Sequence, residues 1–282
     1  MQKKPTPQDI KEDAQFQLDC LKLADIAKAA AEEVILPSFR SADLKVLQKT
    51  GVQDLVTEAD EHAERYMAAQ ISEVFPNAVV LGEESVAANP ELLDGIDAHD
   101  LCVIIDPIDG TFNYAHGITT FGIAIAVLIR GVTVYGLLCD PIMKEITFAF
   151  LGMGAYKKPI LGQIEPLQVS SGKCGFIPLA SLPSDKVSAA VEFGHTHSPL
   201  KSLGCSVHEY RLLCDGSASW ALATKSAPWD HAAGQLIHSE AGGITRFADG
   251  EDYRAARHTG AIISAPNEDV WKQLQKGFSD LI

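Results

Sequence analysis

The sequence predicts an α+β fold made of two layered substructures, about 1–185 and 186–282, that share one cleft. Three observations predict it. Near the amino terminus a long stretch carries apolar residues at helical spacing. Between 121 and 150, apolar runs are broken at Arg130-Gly131, which is hairpin chemistry. From about Val187 onward, short apolar runs alternate with helical patterns.

Taken in order, Ile10 to Phe39 predicts one amphipathic helix, with Phe16, Cys20, Leu23, Ala27, Ala31 and Val34 on its apolar stripe and Pro37 ending it. A second helix is expected from Thr57 to Phe75. NAVVLGEES then predicts a strand ending near Gly82, and Val103 to Ile105 a short β-branched strand buried on both faces. Phe121–Arg130 and Val132–Asp140 form the expected hairpin, extended by Glu145 to Phe150. The remainder predicts a strand at SAAVEF, a helix at CSVHEYRLLC and a strand at SASWALAT. A helix at DHAAGQLIHSEA, strands at GITRF and GAIISA, and a helix from about Asn267 complete it.

At 282 residues and 46% hydrophobic content the chain can bury a substantial core. MQKKPTPQDIKEDAQ has no apolar signal region, and no apolar run approaches a membrane span, so a soluble cytoplasmic protein with no membrane partner is expected. Six cysteines without a CxxC pair read as reduced, mostly buried thiols. The net charge of −14 argues against a nucleic-acid polymer as partner, because the long-range field repels polyanions.

The segment CVIIDPIDGT, 102–111, carries the most chemistry. Asp106 is expected where the strand leaves the sheet. Pro107 interrupts the ladder, and Gly110 permits positive φ or close approach of a ligand. Two carboxylates about 4 Å apart repel by roughly 4 kcal/mol at an effective dielectric of about 20, so Asp106 and Asp109 either share a proton or hold a hard cation. An Asp-Pro turn closed by Asp109-Gly110 is the structural alternative. Three further segments could join the pair. LGEES offers Glu83 and Glu84 at a strand end, or a solvated acidic loop. PWDHAAG offers Asp230 at a helix start, where an N-cap is the simpler role. KTGVQDLVTEAD offers Lys49, Thr57 and Asp60, where Thr57 and Asp60 also fit a capping box.

In their order and spacing, DLVTEAD at 54–60, GEES at 82–85, DPIDGTFNY at 106–114, and WDHAAG with EAGG at 229–243 resemble the inositol monophosphatase family. Its members are metal-dependent phosphatases related to fructose bisphosphatases and bisphosphate nucleotidases. The resemblance implies a single domain over 1–282 with a layered αβαβα sugar-phosphatase-like fold, and a homodimer. It further implies two or three Mg²⁺ per site. Glu83, Asp106 and the Ile108 carbonyl would hold one ion, and Asp106, Asp109 and Asp230 a second. By the same resemblance Thr111 and Asp60 would orient and deprotonate water, with Glu83 beside them. Gly110, Thr111, Lys49 and the segment Gly204, Cys205, Ser206 would contact a small-molecule phosphate substrate.

The implied reaction is hydrolysis of a phosphomonoester of a polyol, sugar or amino alcohol by activated water, without a covalent intermediate and with lithium inhibition. Bisphosphate nucleotidase activity, 3′(2′),5′-, and a regulatory or binding role are the alternatives. One departure bears on substrate: Ala223 stands seven residues before Asp230, where inositol-specific members have a glutamate for ring hydroxyls, so inositol phosphate is not favoured. Haloacid-dehalogenase phosphatases also place aspartates and GT after a strand, but their DxDGT needs acids two apart. Here they are three apart, with Ile108 between.

Overall fold

Seven strands form the larger sheet, in the order Val79–Gly82, Cys102–Asp109, Gly122–Ile129, Val132–Asp140, Glu145–Phe150, Ala155–Lys158 and Glu165–Pro166. The first pair is parallel and the rest antiparallel. This is a computed structural model, and it describes residues 3–42, 44–48, 55–171, 174–178, 182, 184–197 and 199–279. Lys49 lies outside the described residues, as does Asp54.

Strand alternation gives this sheet two buried faces. Val103, Ile105, Ile123, Ile125 and Val127 point to one core, packed by the helices Ala14–Ala30 and Glu58–Val74. Ile104, Ala124, Ala126, Leu128 and Leu138 point to the other, packed by the helices Ser206–Cys214 and Pro228–Glu240. The helices come close because the strands there carry small residues: a Cβ on Gly136 would stand 2.6 Å from the Ala233 carbonyl oxygen. Beyond these two helices lies a five-stranded sheet, ordered Leu200–Lys201, Gly175–Phe176, Trp220–Ala223, Ile262–Ala265, Ile244–Phe247. Its outer face is covered by the helices Ser184–His197 and Glu268–Phe278 through Trp220, Leu222, Ile263, Trp271, Leu274 and Phe278. The layers therefore run αβαβα, as the resemblance implied.

Several elements differ from their sequence reading. The expected helix Ile10–Phe39 is segmented into Pro7–Glu12 and Ala14–Ala30, with the Asp13 side chain accepting from the Phe16 N–H between them. A π-helical turn, Ala31–Ile35, follows, and the chain continues helically through Pro37 to Ser38. SAAVEF is helix rather than strand, within Ser184–His197. Val187, Ala190 and Phe193 pack together on the outer core at helical spacing, and that period wins over the β-branched content. The strand ending at Asp106 instead resumes pairing after an irregularity, with Asp109 opposite Gly122, so Pro107 makes a bulge and not a terminus. The hairpin turn is as expected, with Arg130 and Gly131 both at positive φ, 49° and 75°.

Candidate active site

At the bulge the chain turns both aspartates to one point. Asp106 accepts a hydrogen bond from the Ile108 N–H at 3.1 Å, which closes the Pro107 turn. Asp109 is met by the start of the helix Ser206–Cys214: its Oδ2 accepts from the Val207 N–H and from the Cys205 thiol at 3.1 Å, and its Oδ1 from Ser206 Oγ at 3.4 Å. Asp230 arrives from the opposite side, in the first turn of Pro228–Glu240, where Pro228 opens the helix and Ala227 holds the cap position. It is therefore not an N-cap. Ligand oxygens of Asp106, Asp109 and Asp230 lie within 4.8 Å of one another.

Three carboxyls in that space cannot all ionise cheaply. Burial, then the charges of Glu83, Asp109 and Asp230, push Asp106 well above the usual carboxylate range. Asp230 is pushed up by desolvation and by Asp109 and Glu83, with partial relief from Lys225. Asp109 is raised by burial against the opposing effect of the Val207 N–H. No lysine or arginine among the described residues forms an ion pair with any of the three. The donor set is hard oxygen with the Ile108 carbonyl alongside, and it fits Mg²⁺ in charge and ligand type.

Beside this cluster Thr57 and Asp60 form the expected capping box of Glu58–Val74. The Thr57 N–H and Oγ1–H both donate to Asp60 Oδ2, the former at 2.8 Å. Asp60 is nonetheless shared with the turn. Its Oδ1 accepts from Thr111 Oγ1 at 3.2 Å, and the same hydroxyl lies 3.0 Å from the Ile108 carbonyl oxygen. Burial, opposed by the Thr57 bonds, lifts Asp60 to about 6. Capping and site geometry are thus one arrangement and not alternatives. Gly110, at φ 88°, caps the short helix Thr111–Ala115. A Cβ there would press on the Thr120 carbonyl oxygen at 3.0 Å and Cys205 Cβ at 3.1 Å.

All of this opens on a cleft of about 490 Å³ whose walls include Glu83, Asp106, Asp109, Gly110, Thr111, Gly204, Cys205, Ser206 and Asp230. Ala223 and Lys225 lie on its far wall with Glu209. Cys205 is 3% exposed, and burial beside Asp109 pushes its thiol well up, so it stands as a protonated donor to Asp109. Tyr114 is a wall residue, buried with its hydroxyl donating to the Ile35 carbonyl at 2.7 Å. His116 stacks on Phe112.

Two supporting residues were not singled out from sequence. Glu64, one turn after Asp60, accepts from the N–H groups of Glu84 and Ser85 at 2.7 and 2.9 Å and so anchors the Glu83 loop. A Cβ on Gly82 would collide with it. Asn113 Nδ2 donates to the Thr120 and Leu203 carbonyls, tying the 203–206 segment to the DPIDGT turn. The i, i+4 pair of acids, Asp60 and Glu64, on an otherwise apolar helix face was the readable signal for the first.

An oxygen-rich cleft at a bulged strand end, between the sheets of an αβαβα stack, defines a class to which the comparisons give a name. Residues 18–279 match the inositol monophosphatase family, and the chain belongs to it. It is 27% identical over 234 residues to the inositol-1-monophosphatase of Bacillus subtilis, covering 79% of this chain and 84% of that one. To the Nus factor SuhB of Haemophilus influenzae it is 30% identical over 268 residues, covering 91% and 94%. A solved IMPase/NADP phosphatase complexed with Mg²⁺ and phosphate superimposes with a TM-score of 0.73 at 22% identity, covering 93% and 94%, which shows the shared fold. Among the described residues, no helix is long and apolar enough to cross a membrane.

Proposed function

We propose that this chain is a Mg²⁺-dependent phosphomonoesterase that hydrolyses a polyol, sugar or amino-alcohol phosphate through an activated water. The observation that carries the reading is the convergence of Asp106, Asp109 and Asp230 within 4.8 Å, with no ion-pair partner among the described residues, in a cleft bordered by Thr111, whose hydroxyl donates to Asp60. Glu83, Asp106, the Ile108 carbonyl, Asp109 and Asp230 would hold two or three Mg²⁺. Bound Mg²⁺ would neutralise phosphoryl oxygens and lower the pKa of water at the site.

The chain's own groups would do the rest. Thr111 Oγ1, whose proton can go to Asp60, orients the attacking water through its lone pairs. Asp60, raised to about 6, is poised to accept a proton near neutral pH. Glu83 reinforces that poise through its charge. N–H groups at Gly110 and Thr111 would face the phosphate. Gly204, Cys205 and Ser206 would border the organic half, with Cys205 acting chiefly as donor to Asp109. Lys49 is retained as a phosphate contact on the resemblance alone. That resemblance also carries a cytoplasmic homodimer, which sedimentation would check.

A regulatory or binding role is the second reading, favoured by the relative named Nus factor SuhB. One experiment separates the two. Phosphate release from p-nitrophenyl, inositol, sugar and nucleotide phosphates is measured with and without Mg²⁺ in the unmodified protein and in Asp109→Asn and Asp230→Asn. Turnover that needs Mg²⁺ and is lost at least a thousandfold, ~10³, in both variants supports the phosphatase. Uniformly negligible release favours the regulatory reading.

A further inference from the structure

One carboxyl in the cleft belongs to neither the acid cluster nor the capping box. Glu209 lies in the first turn of the helix Ser206–Cys214 and shares a recess with Ala221 and Ala223 of the strand Trp220–Ala223. Its Oε1 accepts from the Leu203 N–H at 3.3 Å. Among the described residues Oε2 has no hydrogen-bond partner, and no lysine, arginine or histidine pairs with the group. A structural role, closing the turn before its own helix, accounts for Oε1 and leaves Oε2 unexplained.

The surroundings suggest what Oε2 meets. Trp220 and Leu222 point into the outer core, so Ala221 and Ala223 share the face turned to this helix. Their small size leaves a recess of about 20 Å³ bordered by Ser206, Glu209, Ala221, Ala223 and His231. Ser206, Glu209, Ala223 and His231 also line the main cleft, so the recess adjoins the place where a substrate would lie. Its volume suits one water-sized polar group. His231 contributes no competing donor, since its Nε2 is turned to the Lys225 carbonyl and its Nδ1 to the Tyr210 hydroxyl.

Resting on the phosphatase reading, we infer that Glu209 and the recess behind Ala223 form a hydroxyl-binding subsite that selects phosphate esters of polyhydroxylated compounds. A substrate hydroxyl donates to Oε2, and Ala223 supplies the space for it.

The test compares kcat/KM for glycerol 2-phosphate, which carries hydroxyls beside its ester, with kcat/KM for p-nitrophenyl phosphate, which carries none. Glu209→Gln keeps an acceptor for the Leu203 N–H while removing the charge, and it should lower the ratio of the two values about tenfold. Ala223→Leu, which fills the recess from the facing wall, should lower the same ratio without touching Glu209. An unchanged ratio in both variants, or equal losses on the two esters, overturns the subsite and leaves the phosphatase reading standing. Failure of the unmodified protein to release phosphate from p-nitrophenyl phosphate in Mg²⁺ removes that reading and the subsite with it.

Discussion

The helix Ser206–Cys214 serves two buried acid clusters one turn apart, and they are built on opposite terms. At Arg211 it brings its own cation: Nη1 donates to Asp140 at 2.8 Å and Nη2 to Glu145, and Asp140 also accepts from the Ile142 and Met143 N–H groups at 2.9 Å each. Four residues earlier, at Val207, it brings only uncharged donors, backbone, hydroxyl and thiol, to Asp109, leaving Asp106, Asp109 and Asp230 to repel one another. Both clusters sit at strand ends of the same sheet. One carries a cation of its own, while the other has a deficit of positive charge that matches a divalent ion in sign and ligand type.

Removing the internal cation is the most damaging way to break this contrast. Arg211→Met should cost about 3–5 kcal/mol of stability in urea unfolding, because Asp140 and Glu145 are left largely buried without their cation. A loss below about 1 kcal/mol would mean that the two clusters are not distinguished by their counter-charge.

Supplying the missing charge is the next test. Mg²⁺ at a hundred times its Kd should stabilise the unmodified protein by about 2.7 kcal/mol. Asp230→Asn should lose that gain yet be the more stable protein in EDTA, since one repelling charge is gone. In EDTA the sign with pH also follows. The folded state holds protons on Asp106, Asp109 and Asp230 above the usual carboxylate range, so it binds more protons than the unfolded chain. Metal-free stability should fall as pH rises from about 4 upward, and saturating Mg²⁺ should flatten that fall. Unfolding curves at several pH values, with and without Mg²⁺, check both statements.

What could be read beforehand follows the range of the interactions. The Asp106–Asp109 turn was legible because β-branched residues, Pro107 and Gly110 act on their immediate neighbours, and the capping box was legible from a three-residue spacing. Membership of a larger acid site came from motif order across the chain. The bond from Val207 to Asp109 spans 98 positions and has no local trace. The spacing of Glu64 from Asp60 was readable, but its partners, the N–H groups of Glu84 and Ser85, lie 20 and 21 positions further on and leave no local trace. Gly175–Phe176 is a strand only by virtue of its neighbours on either side. SAAVEF failed because composition suggested a strand where the spacing of Val187, Ala190 and Phe193 favoured a helix.

The smallest expected effect lies at Asp60, which stands between the two kinds of cluster: well hydrogen-bonded, yet close enough to Glu83 to feel its charge. Thr57 is 1% exposed, and Thr57→Val preserves its shape while deleting the hydroxyl donor to Asp60 Oδ2. The loss should be about 1 kcal/mol, that of an N-cap. Its pH dependence is the sharper readout. Burial already holds Asp60 at about 6, above the unfolded aspartate, so ionising it costs stability as pH rises toward that value. The Thr57 hydroxyl opposes that shift, and deleting it raises Asp60 further. Thr57→Val should therefore be more destabilising at pH 8 than at pH 5, and the acid limb of any Mg²⁺-dependent phosphatase activity should move to higher pH. An equal loss at both pH values, with an unmoved limb, would make Thr57 a cap alone and remove Asp60 from the proton path.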